Sequence, residues 1–458
     1  MFGVIITLLA VVLIAYFVIK NYYPPFVLML LGLVLLFIGW MMGIDPVSAK
    51  TSTHFWGFDL VQAFTDLMKG RLGGLGLNIM AIAGFSYYMN KIGASKSLVK
   101  LCIRPLSAIR SPYILLGLTY FVGQCMALFI NSAVGLGLLL MASIYPLLVS
   151  LGVRRAAAAA VIGSTCCLDL GPSSSNAMRA ADLLGTDVVT YFVTGQIPVA
   201  ISVMIAVAVG HSVIQHWFDR REAAKGIEDK VEGLNANAED AFADAGPAHY
   251  AILPILPLFL LIIFSPMVYA GIKLSLVTAI VVSILIAFVV DLLTRRTFKQ
   301  CCADTQSFFE GMGKVFTSTV TLVVCAELFA LGLTKVGGIS TLIQMAASQQ
   351  GLGLFFMLFV MMGIMVVATI VTGSGNSAFF AFSPLLPEAA ASVGYNTMAL
   401  VVPVQLAASL ARPMSPISGV IIAVSGIAGL TPIELIRRTM PVMVIGMIVN
   451  VVASNIFL

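Results

Sequence analysis

The chain has 458 residues, 60% of them hydrophobic and 10% charged, with a net charge of +5 and a mean hydropathy of +1.05. Soluble domains carry about 25% charged residues, so a soluble globular protein is excluded, and so small a basic surplus implies no nucleic-acid role. Apolar stretches near the ~20 residues that cross a bilayer recur throughout, whereas the alternating ten-residue segments of a β-barrel are absent; the expected class is an all-α polytopic membrane protein.

In chain order, candidate spans fall at about 2–19, 25–43, 74–90, 112–130, 133–150, 156–169, 190–215, 250–270, 274–293, 315–334, 353–371, 377–392, 397–410 and 440–457. The first lacks a basic start and a small-residue cleavage site, so it reads as a retained span. One charged, alanine-rich stretch, Asp219 to Gly246, reads as a solvated linker between two halves. The seven cysteines include the adjacent pairs Cys166-Cys167 and Cys301-Cys302 but no C-x-x-C, and read as free thiols. His54, His211, His216 and His249 map to loops or span ends, away from any metal-ligand spacing, so neither a metal nor another cofactor is expected.

The halves resemble one another. Lys91-Ile92-Gly93 aligns with Lys335-Val336-Gly337 and Gly185 with Gly429 at an offset of 244, Gly152 with Gly394 at 242, and Pro172 with Pro413 at 241. Charge orients the copies. Lys91, Lys96, Lys100, Arg104 and Arg110 crowd the loop after the first span of copy one, while its counterpart has no Lys or Arg between Lys335 and residue 352. Basic loops stay cytoplasmic, so the copies have opposite topology. Arg154-Arg155, Arg220-Arg221, Arg295-Arg296 and Arg437-Arg438 can all be cytoplasmic only if 112–150 and 353–392 are re-entrant hairpins, with both termini outside. The expected organisation is N-terminal scaffold helices at 1–69, repeat one at 70–217 (hairpin 112–150, broken helix 156–185), a cytoplasmic linker at 218–248, connecting scaffold helices at 249–314, and repeat two at 315–458 (hairpin 353–393, broken helix 397–428).

Polar residues stranded in the apolar runs mark the candidate site. The hairpin tips read Asn131-Ser132-Ala133-Val134-Gly135 and Thr372-Gly373-Ser374-Gly375-Asn376-Ser377, and the helix breaks DLGPSSSNA (169–177) and ARPMSPISG (411–419). Non-helical backbone at membrane depth requires surrounding protein or a wet cavity. Half-helix N-termini favour anionic groups. The hydroxyl and amide side chains of Asn131, Ser132, Ser173, Ser174, Ser175, Thr372, Ser374, Asn376, Ser415 and Ser418 can donate to carboxylate oxygens. Arg412, costly at depth by about 2.5 kcal/mol or more, offers a planar fork for a carboxylate or a cap for hairpin carbonyls. Asp169 and Glu327 are candidates for a coupling Na+ or H+, and Asp169 alternatively neutralises Arg412 or Arg179. Arg179 itself is expected to snorkel to an interface, with Asp291 and Glu388 solvated near interfaces.

The motifs NSAVGLGLLLM, TGSGNSAFFAF and LARPMSPISGVIIAVSGIAG, with SPYILL at 111–116, resemble the DcuC/DcuD branch of the anaerobic C4-dicarboxylate carriers over nearly the whole chain. The resemblance implies a secondary carrier of the bacterial inner membrane, moving succinate, fumarate and malate by exchange or cation-coupled efflux. It also implies a homodimer in which a scaffold supports an elevator-like transport domain. On that resemblance, 372–376 is the second hairpin tip, and Arg412 with Ser415 and Ser418 the second break; the first break, CLDLGPSSSN, resembles the DcuD side more than DcuC. A carrier of another organic anion or amino acid is the nearest alternative. An anion channel lacks a use for occluding hairpins, and a membrane enzyme lacks a nucleophile-base pair at depth.

Overall fold

The architecture is that of a computed structural model describing residues 22–226, 244–266, 271–337, 353–392 and 394–458, with 242, 268, 269 and isolated positions between 3 and 20. Most of the first candidate span, of the linker, and the whole stretch 338–352 lie outside the described residues.

All regular structure among the described residues is helical. A helix satisfies its own amides, as hydrocarbon demands. Seven described stretches are long and apolar enough to cross a membrane: Pro24–Met41, Trp56–Lys91, Val188–Ala224, Leu276–Arg295, Phe298–Val336, Thr397–Ala428 and Pro432–Phe457. Two begin earlier than expected. Helix Trp56–Arg71 carries Asp59, Asp66, Lys69 and Arg71, which depress its hydropathy, and a π-helical turn at Leu72–Gly76 joins it to Leu77–Lys91. Helices Phe298–Asp304 and Gln306–Val315 likewise precede the π-helical turn Phe316–Val320 and helix Thr321–Val336. The expected span at 250–270 shortens to a 3-10 stretch, Ala248–Ile255, and helix Leu256–Ile263. Pro254 and Pro257 withhold the amides that an α-helix would need there.

Local geometry recurs at fixed offsets. Two π-helical turns, Leu72–Gly76 and Phe316–Val320, start 244 residues apart, while a third, Tyr191–Gln196, has no π-helical counterpart in Pro432–Phe457. Left-handed glycines pair as Gly93 (φ 77°) with Gly337 (75°), Gly152 (87°) with Gly394 (64°), and Gly185 (62°) with Gly429 (65°).

Side chains pack into two main apolar cores. One gathers Leu115, Leu140, Val161, Val203, Met361, Leu406 and Val442, from helices at 112–224 and 353–458. The other gathers Leu35, Ile79, Phe85, Ile280, Phe329 and Leu333, from helices at 24–91 and 253–336. In the second core, Pro24–Met41 and Thr321–Val336 pack almost backbone to backbone: a Cβ on Gly32 would sit 2.9 Å from the amide nitrogen of Phe329. Gly32→Val is therefore expected to lower stability by about 2–3 kcal/mol through overpacking, read as a lower thermal midpoint in detergent.

Asp291 corrects an expectation. It is fully buried, accepts from Tyr250 Oη at 2.7 Å and pairs with Arg295 Nε at 2.9 Å. Glu388 is exposed, and the seven cysteines are free.

Candidate functional site

Two helix pairs are joined through the polar tip segments. Pro112–Ala127 gives way at 128–132 to Ala133–Ser143, and Gly353–Thr372 gives way at 373–374 to Gly375–Phe382. Two helices are interrupted: Arg155–Ser164 resumes as Ser175–Leu183, and Thr397–Leu410, after a 3-10 turn at Arg412–Met414, resumes as Gly419–Ala428. Gly171 and Pro172 open the first break, Pro413 and Pro416 the second, and Gly373 the second tip, with Gly171 at φ 75° and Gly373 at φ 71°, whereas 128–132 has neither residue type.

Three of the four resumed helices are capped by serine side chains. Ser132 accepts from Gly135 N at 3.0 Å, Ser374 from Ser377 N at 3.2 Å and Ser174 from Ala177 N at 3.3 Å. A second pair of serines ties each tip to a break. Ser173 Oγ donates to Leu128 O at 2.5 Å and Ser415 Oγ to Ile370 O at 2.7 Å, donor and acceptor both displaced by 242 residues between the two bonds. Asn131 Nδ2 also donates to Ser173 O. The contacts then cross over. A Cβ on Gly419 would lie 3.3 Å from Val134 of the first tip, and one on Gly375 would lie 3.5 Å from Arg412 Nη2. The four irregular segments thus form one connected cluster. Removing either tie, by Ser173→Ala or Ser415→Ala, strands a carbonyl lone pair and is expected to cost about 1–2 kcal/mol, measurable as a lower thermal midpoint.

Asp169 is the hub of that cluster. Its Oδ2 receives Arg412 Nη2, Ser409 Oγ at 2.8 Å and Asn176 Nδ2 at 2.8 Å. Its backbone carbonyl receives Gln405 Nε2 at 2.9 Å and Gln196 Nε2 at 3.1 Å. The amides are held in turn: Gln196 Nε2 donates to Gln405 Oε1 at 2.8 Å, Tyr191 Oη to the same oxygen at 3.2 Å, and Gly171 N to Gln196 Oε1 at 2.9 Å. Arg412 spends one more donor on Cys166 O, at 3.3 Å. The Arg412 side chain is 13% exposed and that of Asp169 18%, so the pair is largely but not wholly enclosed by protein. Such a pair can trade its internal carboxylate for an external one.

Of the residues singled out in the sequence, Asn131, Ser132, Ser173, Ser174, Thr372, Ser374, Arg412 and Ser415 all bond within the cluster. Thr372 and Ser374 close the second tip on each other, Thr372 Oγ1 donating to Ser374 O at 3.2 Å. Ser175 and Asn376 are half-buried and make no side-chain hydrogen bond to a described residue, while Ser418 Oγ is buried without a partner. Asn176 Oδ1 and Thr369 Oγ1 are likewise buried without a partner. Glu327 lies elsewhere, paired with Arg71 at 2.6 Å and Arg179 at 2.7 Å. Arg179 does not snorkel: it is 2% exposed, because Glu327 and Asp182 neutralise it in place. His211 is neither in a loop nor at a span end but fully buried within helix Ile197–Ala224, its Nε2 2.7 Å from Ser164 Oγ. Sequence reasoning passed over Gln196, Gln405 and Ser409, which carry no motif, and Asn176, which lies inside the quoted break 169–177 but was not singled out; two glutamines in apolar runs were the available signal.

Cavities flank both tips. A cavity of about 790 Å³ adjoins the second, walled largely by apolar side chains with Thr372 and Ser377 among them. A space of about 40 Å³ adjoins the first, bordered by Asn131, Pro172 and Ser173.

Residues 2–457 match the family model described as "DcuC: C4-dicarboxylate anaerobic carrier". The anaerobic C4-dicarboxylate transporter DcuC of Escherichia coli K12 is 34% identical over 453 residues, 99% of this chain and 96% of the relative. A Vibrio cholerae protein named "Probable anaerobic C4-dicarboxylate transporter DcuC" is 34% identical over 458 residues, 100% of this chain and 98% of the relative. In fold, the chain is similar to MtrF of Neisseria gonorrhoeae, described within a class of antimetabolite efflux pumps, with a TM-score of 0.59, 14% identity and 95% of each chain covered. It is also similar to the YdaH transporter of Alcanivorax borkumensis, with a TM-score of 0.56, 16% identity and 95% and 98% covered. With a full-length family match and two full-length relatives at 34% identity, the chain belongs to the DcuC family of anaerobic C4-dicarboxylate carriers, transporters rather than enzymes.

Proposed function

We propose that this protein is a secondary active carrier of C4-dicarboxylates such as succinate, fumarate and malate in a bacterial inner membrane. One carboxylate of the substrate takes Arg412, and the other is received among Ser175, Asn376, Ser418 and the neighbouring helix N-termini. The observation that carries this reading is the Arg412–Asp169 pair, an arginine held at depth by a single carboxylate at the meeting point of two tips and two breaks. A dianion is drawn there by charge and by the N-terminal ends of the half-helices.

The proposal includes inverted repeats whose hairpins enter from opposite faces, both termini outside, and alternating access by an elevator motion within a homodimer. Recurrent geometry at offsets of 242 and 244 supports the repeat, and the separation into two apolar cores supports a scaffold and a mobile part. Coupling by exchange, H+ or Na+ is assigned to Asp169 rather than Glu327, because only Asp169 touches the cluster.

Counterflow in proteoliposomes tests the reading. Vesicles loaded with unlabelled succinate are expected to accumulate labelled fumarate faster than empty vesicles, with saturation. Flux that neither saturates nor exchanges would identify a channel, and preferential competition by amino acids another carrier.

A further inference from the structure

Arg71, Arg179, Asp182 and Glu327 form a ring of alternating charge that makes no ion pair with Asp169, although Arg179 stands one turn along the helix from Asn176, which bonds Asp169. Arg71 Nε lies 2.6 Å from Glu327 Oε2, and its Nη1 3.0 Å from Asp182 Oδ2. Arg179 Nη1 lies 2.9 Å from Asp182 Oδ2 and 2.7 Å from Glu327 Oε1. Arg71 and Glu327 stand on helices Trp56–Arg71 and Thr321–Val336, and the neighbours Val323 and Ala326 belong to one apolar core. Arg179 and Asp182 stand on helix Ser175–Leu183, whose Ala177, Ala180 and Ala181 belong to the other, while its Met178 reaches across into the first. The ring therefore bridges the two cores.

We infer that the ring is a lock specific to one access state, holding the part that carries the site against the scaffold; this rests on the alternating-access reading above. Buried ion pairs add little net stability because desolvation offsets attraction, but they discriminate sharply between arrangements. This ring can part without stranding a charge. Arg71 and Glu327 remain paired on one side, and Arg179 and Asp182, three residues apart on one helix, remain paired on the other. The Arg179–Glu327 approach is a close charge contact rather than an aligned hydrogen bond, which suits a bond that must release.

The lock has no counterpart across the internal repeat. At the offset of 244 that relates the π-helical turns Leu72–Gly76 and Phe316–Val320, Arg71 corresponds to Val315, Glu327 to Ala83, Arg179 to Ala423 and Asp182 to Gly426. An access state that exchanges the roles of the repeats would press uncharged residues together at the equivalent boundary. The equilibrium between states is accordingly biased toward the arrangement with the ring.

The test uses the double variant Arg71→Gln/Glu327→Gln, which removes both scaffold partners, preserves net charge and leaves Arg179–Asp182 intact. Spin labels at Lys50→Cys and Ser150→Cys, both exposed, report the inter-core distance in a cysteine-free full chain in liposomes. Two distance populations whose ratio responds to succinate are expected in the parent. The double variant is expected to shift that ratio away from the ring-bearing population by at least about fivefold. Asp182→Asn removes the partner that Arg179 keeps when the ring parts while leaving Arg179–Glu327 in place, and is expected to shift the ratio the other way, toward the ring-bearing population. A responsive parent with an unchanged ratio in both variants overturns the lock alone. A parent with one distance, unmoved by succinate, overturns alternating access and the lock with it.

Discussion

Arg412→Ala is expected to reduce succinate uptake into proteoliposomes to the level of empty vesicles. The substitution removes the guanidinium proposed to hold a substrate carboxylate and also leaves Asp169 buried beside an emptied partner. Breaking one member of such a pair costs about 3–5 kcal/mol, more than a hundredfold in an equilibrium constant. Folding and binding losses are separable. Arg412→Ala/Asp169→Ala removes both charges and is expected to regain most of the lost thermal midpoint while remaining transport-dead. Arg412→Lys keeps the charge but not the fork, and is expected to retain a reduced flux at a raised half-saturation concentration. Wild-type flux in Arg412→Ala would remove this residue from the site.

Gly375→Val is expected to have a comparably large effect without touching a charge. A Cβ at Gly375 would stand 2.6 Å from the carbonyl oxygen of Ala408 and 3.2 Å from its carbon, backbone atoms inside a helix that cannot yield. The second tip would have to lift from helix Thr397–Leu410 and from Arg412. Overpacking of this kind costs about 1–3 kcal/mol, and here it displaces the atoms proposed to bind. Uptake is expected to fall at least tenfold. Gly363→Ala is the control on the same hairpin arm, since no atom lies within 4 Å of its would-be Cβ, and it is expected to transport normally. Equal flux in the two variants would show that the packing of this tip is irrelevant to transport.

The irregular segments were legible in sequence because glycine, proline, serine and asparagine interrupt apolar runs that otherwise propagate a helix. Ser132, Ser174 and Ser374 stand where residue type alone suggested, at helix starts. What holds the cluster together was not legible. Gln196 and Gln405 lie 209 residues apart and meet only when two helices pack side by side. A lone amide in an apolar span reads as bonded to its own turn. Arg179 was misjudged for the same reason: the snorkelling expectation weighs a single side chain against the bilayer, and its neutralising partner, Glu327, is 148 residues away in sequence. Helix Trp56–Arg71 escaped notice because the charges that line it lower its hydropathy, and Arg71 turns out to belong to the ion-pair ring. The burial of His211 beside Ser164 removes the argument that histidines at depth are lacking; membership of a carrier family supplies the exclusion of enzymatic chemistry in its place.

The serine ties on Leu128 and Ile370 limit how cargo can be let go. A hinged opening at either end would break a part-buried hydroxyl–carbonyl bond on every turnover. The elevator motion proposed above keeps both bonds whole, because each tip and the break it is fastened to would travel together.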